Sequence, residues 1–145
     1  MISEPKFGWC KFKLNNFNGT PSYLTNVPLD MLEAFVNFWK KSTALAVHFD
    51  EEGKEFTLVI NYNSIFIIEE RDDEPKLILI ENYVENLTLE LIKDIEDNFE
   101  GWVNFITCNE ENDLILQREA LKSNLLELKE IVNKRKIKYI ELKTN

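Results

Sequence analysis

The sequence predicts an α+β fold: an antiparallel four- to five-stranded β-meander packed by one helix from the N-terminal half and two C-terminal helices, in the order β-α-β-β-β-β-α-α. Three observations predict it. Between Leu45 and Val84, short runs rich in Val, Ile, Leu and Phe alternate with acidic or Asn-rich turns, the pattern of strands joined by hairpins. Helical periodicity flanks that stretch, at Pro28 to Lys41 before it and beyond Thr88 after it. At 145 residues the chain has the length of a single domain, 1–145, and a chain of that size buries about 70% of the surface its unfolded form exposes.

Phe7 to Leu14 reads as an N-terminal strand, with Gly8, Cys10, Phe12 and Leu14 as its buried set and Phe7, Trp9 and Lys11 opposite. Asn15 to Pro21 reads as a loop, because Asn, Gly and Pro supply turn conformations and interrupt pairing. In the helix Pro28 to Lys41 the polar strip is narrow, so Met31, Leu32, Phe35, Val36, Phe38 and Trp39 require cover around most of the circumference. Proline is tolerated in the first turn, and Asp30 and Lys40 sit at the ends the helix dipole favours. Thr25, Asn26 and Val27 are all candidates for its cap.

The meander follows as strands 45–49, 55–61, 65–68 and 77–80, closed by turns at 50–54, 61–64 and 71–75. Gly53 supplies the positive φ of the first turn. Ile65-Phe66-Ile67-Ile68 and Leu77-Ile78-Leu79-Ile80 are apolar on both faces, which predicts cover for the second face from terminal helices or a partner. Thr88 caps the second helix, with Leu87 packing on Ile92 as a staple. One face then carries Ile92, Ile95, Phe99, Trp102 and Ile106. The competing reading ends this helix at Gly101 and makes Trp102 to Cys108 a strand. After a polar break at Asn109 to Asp113, a last helix from Gln117 to Lys134 carries Leu121, Leu125, Leu128 and Val132. The tail Ile137 to Leu142 is either a short strand or a frayed end.

Charge is unevenly distributed. Residues 50 to 119 hold 20 of the 26 Asp and Glu but 5 of the 17 Lys and Arg, a formal charge of −15 against +6 for the rest. Such a surface repels nucleic-acid phosphates, whose binding depends on Lys and Arg displacing counterions, and attracts a basic protein. The expected contact residues are Asp50, Glu51, Glu52, Glu69, Glu70, Asp72, Asp73 and Glu74. The plainer reading is that these acids only solvate the turns. The longest apolar runs are about four residues, far short of the roughly 18 to 20 that span a bilayer, and the first residues lack the basic and apolar regions of a signal peptide. No membrane contact and a cytoplasmic location are expected.

Chemistry is sparse. His48 is the lone histidine, alternating with Val47 and Phe49, and has neither a nucleophile nor further metal ligands at a telling spacing; it reads as a packed or edge histidine. Cys10 and Cys108 are isolated, so both read as reduced and structural. The four glycines are scattered, leaving no phosphate-cradling loop. Asp50 to Glu52 and Asp72 to Glu74 lack the D-x-[DN]-x-[DN]-G spacing of a calcium loop, and sequence does not show the separation a pair of glycosidase carboxylates needs. No catalytic residue, metal site or cofactor is assigned.

Ser22-Tyr23-Leu24-Thr25-Asn26, then Leu29-Asp30-Met31-Leu32, then Phe49-Asp50-Glu51-Glu52-Gly53-Lys54-Glu55-Phe56 resemble a family of small, uncharacterised bacterial proteins. That family carries a Ser-Tyr-Leu-Thr/Ser-Asp signature, a Gly-Asp-Leu-Leu helix start and an acidic hairpin turn with glycine. The likeness spans about residues 12 to 132; Asn26 replaces the usual Asp, and Leu29 stands where Gly is common. The family is similar to immunity proteins of polymorphic or contact-dependent toxin systems. The resemblance therefore implies a non-enzymatic protein that neutralises a cognate toxin domain, basic and nuclease-type, by occlusion. The alternatives are a small enzyme or ligand-binding domain with a pocket between helix and sheet, or a homo-oligomeric structural protein. Monomer and homodimer are both left open.

Overall fold

Hydrogen bonding divides the strands into two antiparallel sheets. The computed structural model describes residues 1–106 and 110–143. Over these the order is β1 Ile2–Lys6, β2 Trp9–Leu14, β3 Phe17–Gly19, α1 Val27–Lys41, β4 Leu45–Asp50, β5 Glu55–Ile60, β6 Ile65–Glu70, β7 Lys76–Ile80, α2 Val84–Asp97, α3 Phe99–Val103 and α4 Glu111–Arg135. The class is α+β, as expected, but β1-β2-β3 form a sheet of their own and only β4-β5-β6-β7 form the meander.

The N-terminal strand expected over Phe7 to Leu14 is instead a hairpin plus a short third strand. Phe7 and Gly8 both take positive φ, 54° and 77°, between the paired Lys6 and Trp9. Two such residues make the I′-type turn whose twist matches that of the flanking strands. Pro5 argues against a strand there, but β1 is an edge strand, and its register shift between Ser3 and Lys6 accommodates the proline. The expected loop at 15–21 likewise contains β3. Asn15 takes a left-handed φ of 52°, which asparagine tolerates, so Asn15-Asn16 closes a second tight hairpin. Cys10, Phe12 and Leu14 point inward, as the alternation predicts. Gly19 meets the larger sheet so closely that a Cβ there would lie 2.5 Å from Cε1 of Phe56.

The inner face of the four-stranded sheet carries Leu45, Val47, Phe49, Phe56, Leu58 and Ile60, all buried, with Ile65 and Ile67 beside them. The small sheet covers one end of this face through aromatic packing. Phe12 lies with its ring centroid 5.0 Å from both Phe49 and Phe56, and Phe49 stacks on Phe56 at 4.7 Å. Such pairs add about 0.5–1.5 kcal/mol each beyond the area they bury. Helix α1 packs on β4 and on α4, and the buried apolar residues from Ile2 to Leu128 form one cluster.

The C-terminal half departs from expectation in three places. Helix α2 begins at Val84, so Thr88 lies inside it and is not its cap. The buried Thr88 hydroxyl donates to the Val84 carbonyl at 2.7 Å and accepts Trp39 Nε1–H at 3.0 Å, joining α2 to α1. The face from Ile92 to Ile106 is not one helix, because Asn98, at φ −143° and ψ 46°, separates α2 from the short α3. Trp102 and Val103 are helical and 104–106 irregular, so the competing strand is absent over 102–106; its remainder, Thr107 and Cys108, lies outside the described residues. Helix α4 starts at Glu111, and the tail after it is not a strand. Lys136, at φ 56°, ends α4 with backbone bonds from Lys136 N to Asn133 O and Ile137 N to Val132 O, a Schellman-type stop. Asn86 then pins the tail through two hydrogen bonds with the Ile140 backbone.

Candidate functional site

Strand register decides which acidic residues act together. Side chains alternate across a sheet, so with the core set inward the outward residues fall into three rows. Asp50, Glu55 and Glu70 stand opposite one another at one end. His48, Thr57, Ile68 and Leu77 form the next row, and Ala46, Val59, Phe66 and Leu79 the third. The β4–β5 and β6–β7 turns leave the sheet at the acidic end, since antiparallel hairpins of this order place alternate turns together.

Six of the eight expected contact residues gather there: Asp50 and Glu52 at the first turn, Glu70 in the acidic row, and Asp72, Asp73 and Glu74 exposed in the second turn. Glu51 and Glu69 do not face outward. Glu51 is 7% exposed, and its carboxylate accepts Arg71 Nε at 3.0 Å and Nη2 at 3.1 Å, and the Thr20 amide at 2.9 Å. Arg71 Nη2 also donates to the Asn18 carbonyl at 2.7 Å, and its guanidinium lies 4.8 Å from the Phe17 ring centroid. Glu69, on the inner side, is within 4.0 Å of Arg71. Arg71 is thus the clamp between the two sheets, and Glu51 is its counter-ion. Sequence reasoning passes over Glu55, although its place opposite Asp50 follows from the hairpin.

The acidic row is electrostatically crowded. A hydrogen bond with Glu55 holds the Glu70 carboxyl above its ordinary value of 4.5, with desolvation and Glu55 repulsion adding to the effect and His48 opposing it. His48 Nε2 lies 3.3 Å from Glu55. The histidine is half-exposed on an edge strand, so its nearest partner is a carboxylate of this same row.

The outer rows are open, so of the two expected sources of cover the chain's own described helices do not supply it. Ala46, His48, Leu77 and Leu79 are exposed, the two leucines by 61% and 70%, while Val59, Phe66 and Ile68 are half-buried by their neighbours in the sheet. No described element lies across them. Beneath β7, between it and the β2–β3 turn, runs an open groove of about 580 Å³ lined by Asn15, Asn16, Phe17, Asn18, Ile78, Leu79 and Ile80 and by the charged Glu69, Arg71 and Glu81. Among the described residues no group of three His, Cys, Asp or Glu is arranged to hold a metal ion, and no helix is long and apolar enough to cross a membrane. Burial pushes the Cys10 thiol up to about 12; Cys108 lies outside the described residues. No protein-family model, no curated protein and no solved structure matches this chain.

Proposed function

We propose that this chain is a non-enzymatic protein-binding module, with the acidic end and the adjoining apolar rows of the four-stranded sheet as its contact surface. Its role is that of an immunity protein that neutralises a basic, nuclease-type toxin domain by occlusion. One observation carries the reading: the register sets the row Asp50, Glu55, Glu70 and its two acidic turns beside exposed Leu77, with exposed Leu79 one row further on. Carboxylates around an apolar patch steer a cationic surface into register, and the patch then supplies area removed from water. A Lys or Arg placed between Glu55 and Glu70 relieves the repulsion between the two carboxylates. Of the charged residues that line the groove beneath β7, Arg71 is committed to Glu51 and Glu69 lies within 4.0 Å of it, which supports a contact surface over a catalytic cleft.

The test is binding to the C-terminal domain of the protein encoded immediately upstream, followed by calorimetry and by growth of cells producing that domain with and without this chain. The expected result is a complex and protected growth. A stable domain that neither binds nor is neutralised would overturn the proposal, as would an upstream metabolic enzyme.

A further inference from the structure

The geometry points to β7 as the place where the partner adds a strand of its own: an extended segment with alternating apolar residues and Lys or Arg at both ends, paired to the free edge of the four-stranded sheet. This rests on the protein-binding reading above and specifies how the contact is made.

β7 is hydrogen-bonded to β6 on one side only; on its other edge no hydrogen bond joins residues 76–80 to any described residue. Edge strands ordinarily carry charges, proline or a bulge that discourage further pairing. Here Pro75 and Lys76 guard only the start, and Leu77-Ile78-Leu79-Ile80 follows with an unbroken register. The opposite edge strand, β4, presents Ala46 and His48 outward, and its Asp50 carbonyl is already taken by the Ser22 amide at 2.8 Å.

An added strand at β7 finds apolar rows on its outer side and, on its inner side, a groove that mixes Phe17, Ile78 and Ile80 with asparagines and charged side chains. Side chains on its outer side continue the rows that end in Leu77 and Leu79, and those on its inner side enter the groove over Phe17 and Ile78. Strand addition takes its affinity from main-chain hydrogen bonds and its specificity from such alternate side-chain sites.

Charge selects the occupant. Residues 69 to 85 hold 7 acids against 2 bases, with Asp72, Asp73 and Glu74 before β7 and Glu81 after it. Of the two bases, Arg71 is held by Glu51, and Lys76 lies 3.5 Å from Asp72. A second copy paired antiparallel through β7 would set each Glu81 near the other copy's acidic turn, a repulsive arrangement at both ends. A segment with basic ends converts both into attractions.

The test titrates the ¹⁵N-labelled full chain with the peptide Ac-Lys-Arg-Val-Thr-Ile-Thr-Val-Arg-Lys-NH2, with the same peptide carrying Glu at its four basic positions, and with two forms of the basic peptide N-methylated at alternate residues in either phase. The expected result is perturbation and slowed hydrogen exchange of the Leu77–Ile80 amides by the basic peptide, binding at least tenfold weaker for the acidic one, and loss of binding on methylation in one phase only. Equal binding of both methylated forms, no binding of the basic peptide, or a concentration-dependent dimer that protects β7 overturns strand addition. If the upstream-encoded domain still binds in those cases, the protein-binding reading survives; if that domain does not bind, that reading fails on its own account.

Discussion

Replacing Arg71 by Met tests whether Glu51 belongs to the fold or to a contact surface. Methionine retains much of the apolar packing over Phe17 and Phe56 but removes both bonds to the Glu51 carboxylate and the bond to the Asn18 carbonyl. The Glu51 side chain is 4% exposed, so the variant leaves a buried carboxylate with only the Thr20 amide. Removing one partner of a buried pair costs about 3–5 kcal/mol. With a urea dependence of about 2 kcal/mol per molar, the unfolding midpoint falls by about 2 M. The double variant Arg71→Met, Glu51→Leu removes the orphaned charge, so its cost is less than the sum of the two single costs, with a coupling of about 1–3 kcal/mol. Urea unfolding followed by tryptophan fluorescence measures all four proteins. A single Arg71→Met cost below about 1 kcal/mol, or strict additivity, would refute the clamp and return Glu51 to the candidate contact residues.

Three other outcomes follow from the same geometry. Asn26→Asp costs about 1–3 kcal/mol in urea unfolding, because Asn26 and the buried Gln117 exchange two amide bonds of 2.9 Å and the new carboxylate leaves Gln117 Oε1 without its donor. In a Cys108→Ser background Cys10 does not react with iodoacetamide at pH 8 until the protein is unfolded, since burial keeps its thiol protonated. Glu70→Gln removes a contribution to stability that falls as pH rises above 4.5. The Glu70 carboxyl is raised in the folded state, so its contribution is present below the unfolded value and is lost as pH rises through the folded one. The urea midpoint at pH 7 minus that at pH 4 should therefore be more positive for the variant than for the parent.

The meander was legible because β4 to β7 carry β-branched and aromatic runs with polar turns, and hairpin pairing is local. The first sheet was not, for reasons that lie in single residues. Phe7 adopts a positive φ that its side chain disfavours, Pro5 occupies an edge where its missing proton is harmless, and the Asn15-Asn16 turn resembles the start of a long loop. Thr88 looks like a cap because caps and buried hydroxyl ties use the same residue; the Trp39 indole that selects the second role is 49 residues away in sequence. The acidic end was legible as composition, yet sequence could not separate Glu51 from Glu52. One is drawn inward by Arg71, from the far hairpin, while the other sits exposed at φ 57° in the turn. For the outer face, apolar character on both sides of a strand predicts cover by helices or by a partner without saying which, and the described helices of this chain do not supply it.

The most direct measurement is the stopped-flow association rate with the upstream-encoded domain, across ionic strength, for the parent and for Asp72→Asn, Asp73→Asn, Glu74→Gln combined. If the acidic end steers a basic partner, the parent rate falls by about tenfold or more between 20 mM and 500 mM salt, and the triple variant is slower at low salt but similar at high salt. Equal rates for the two proteins at every salt concentration would contradict the account.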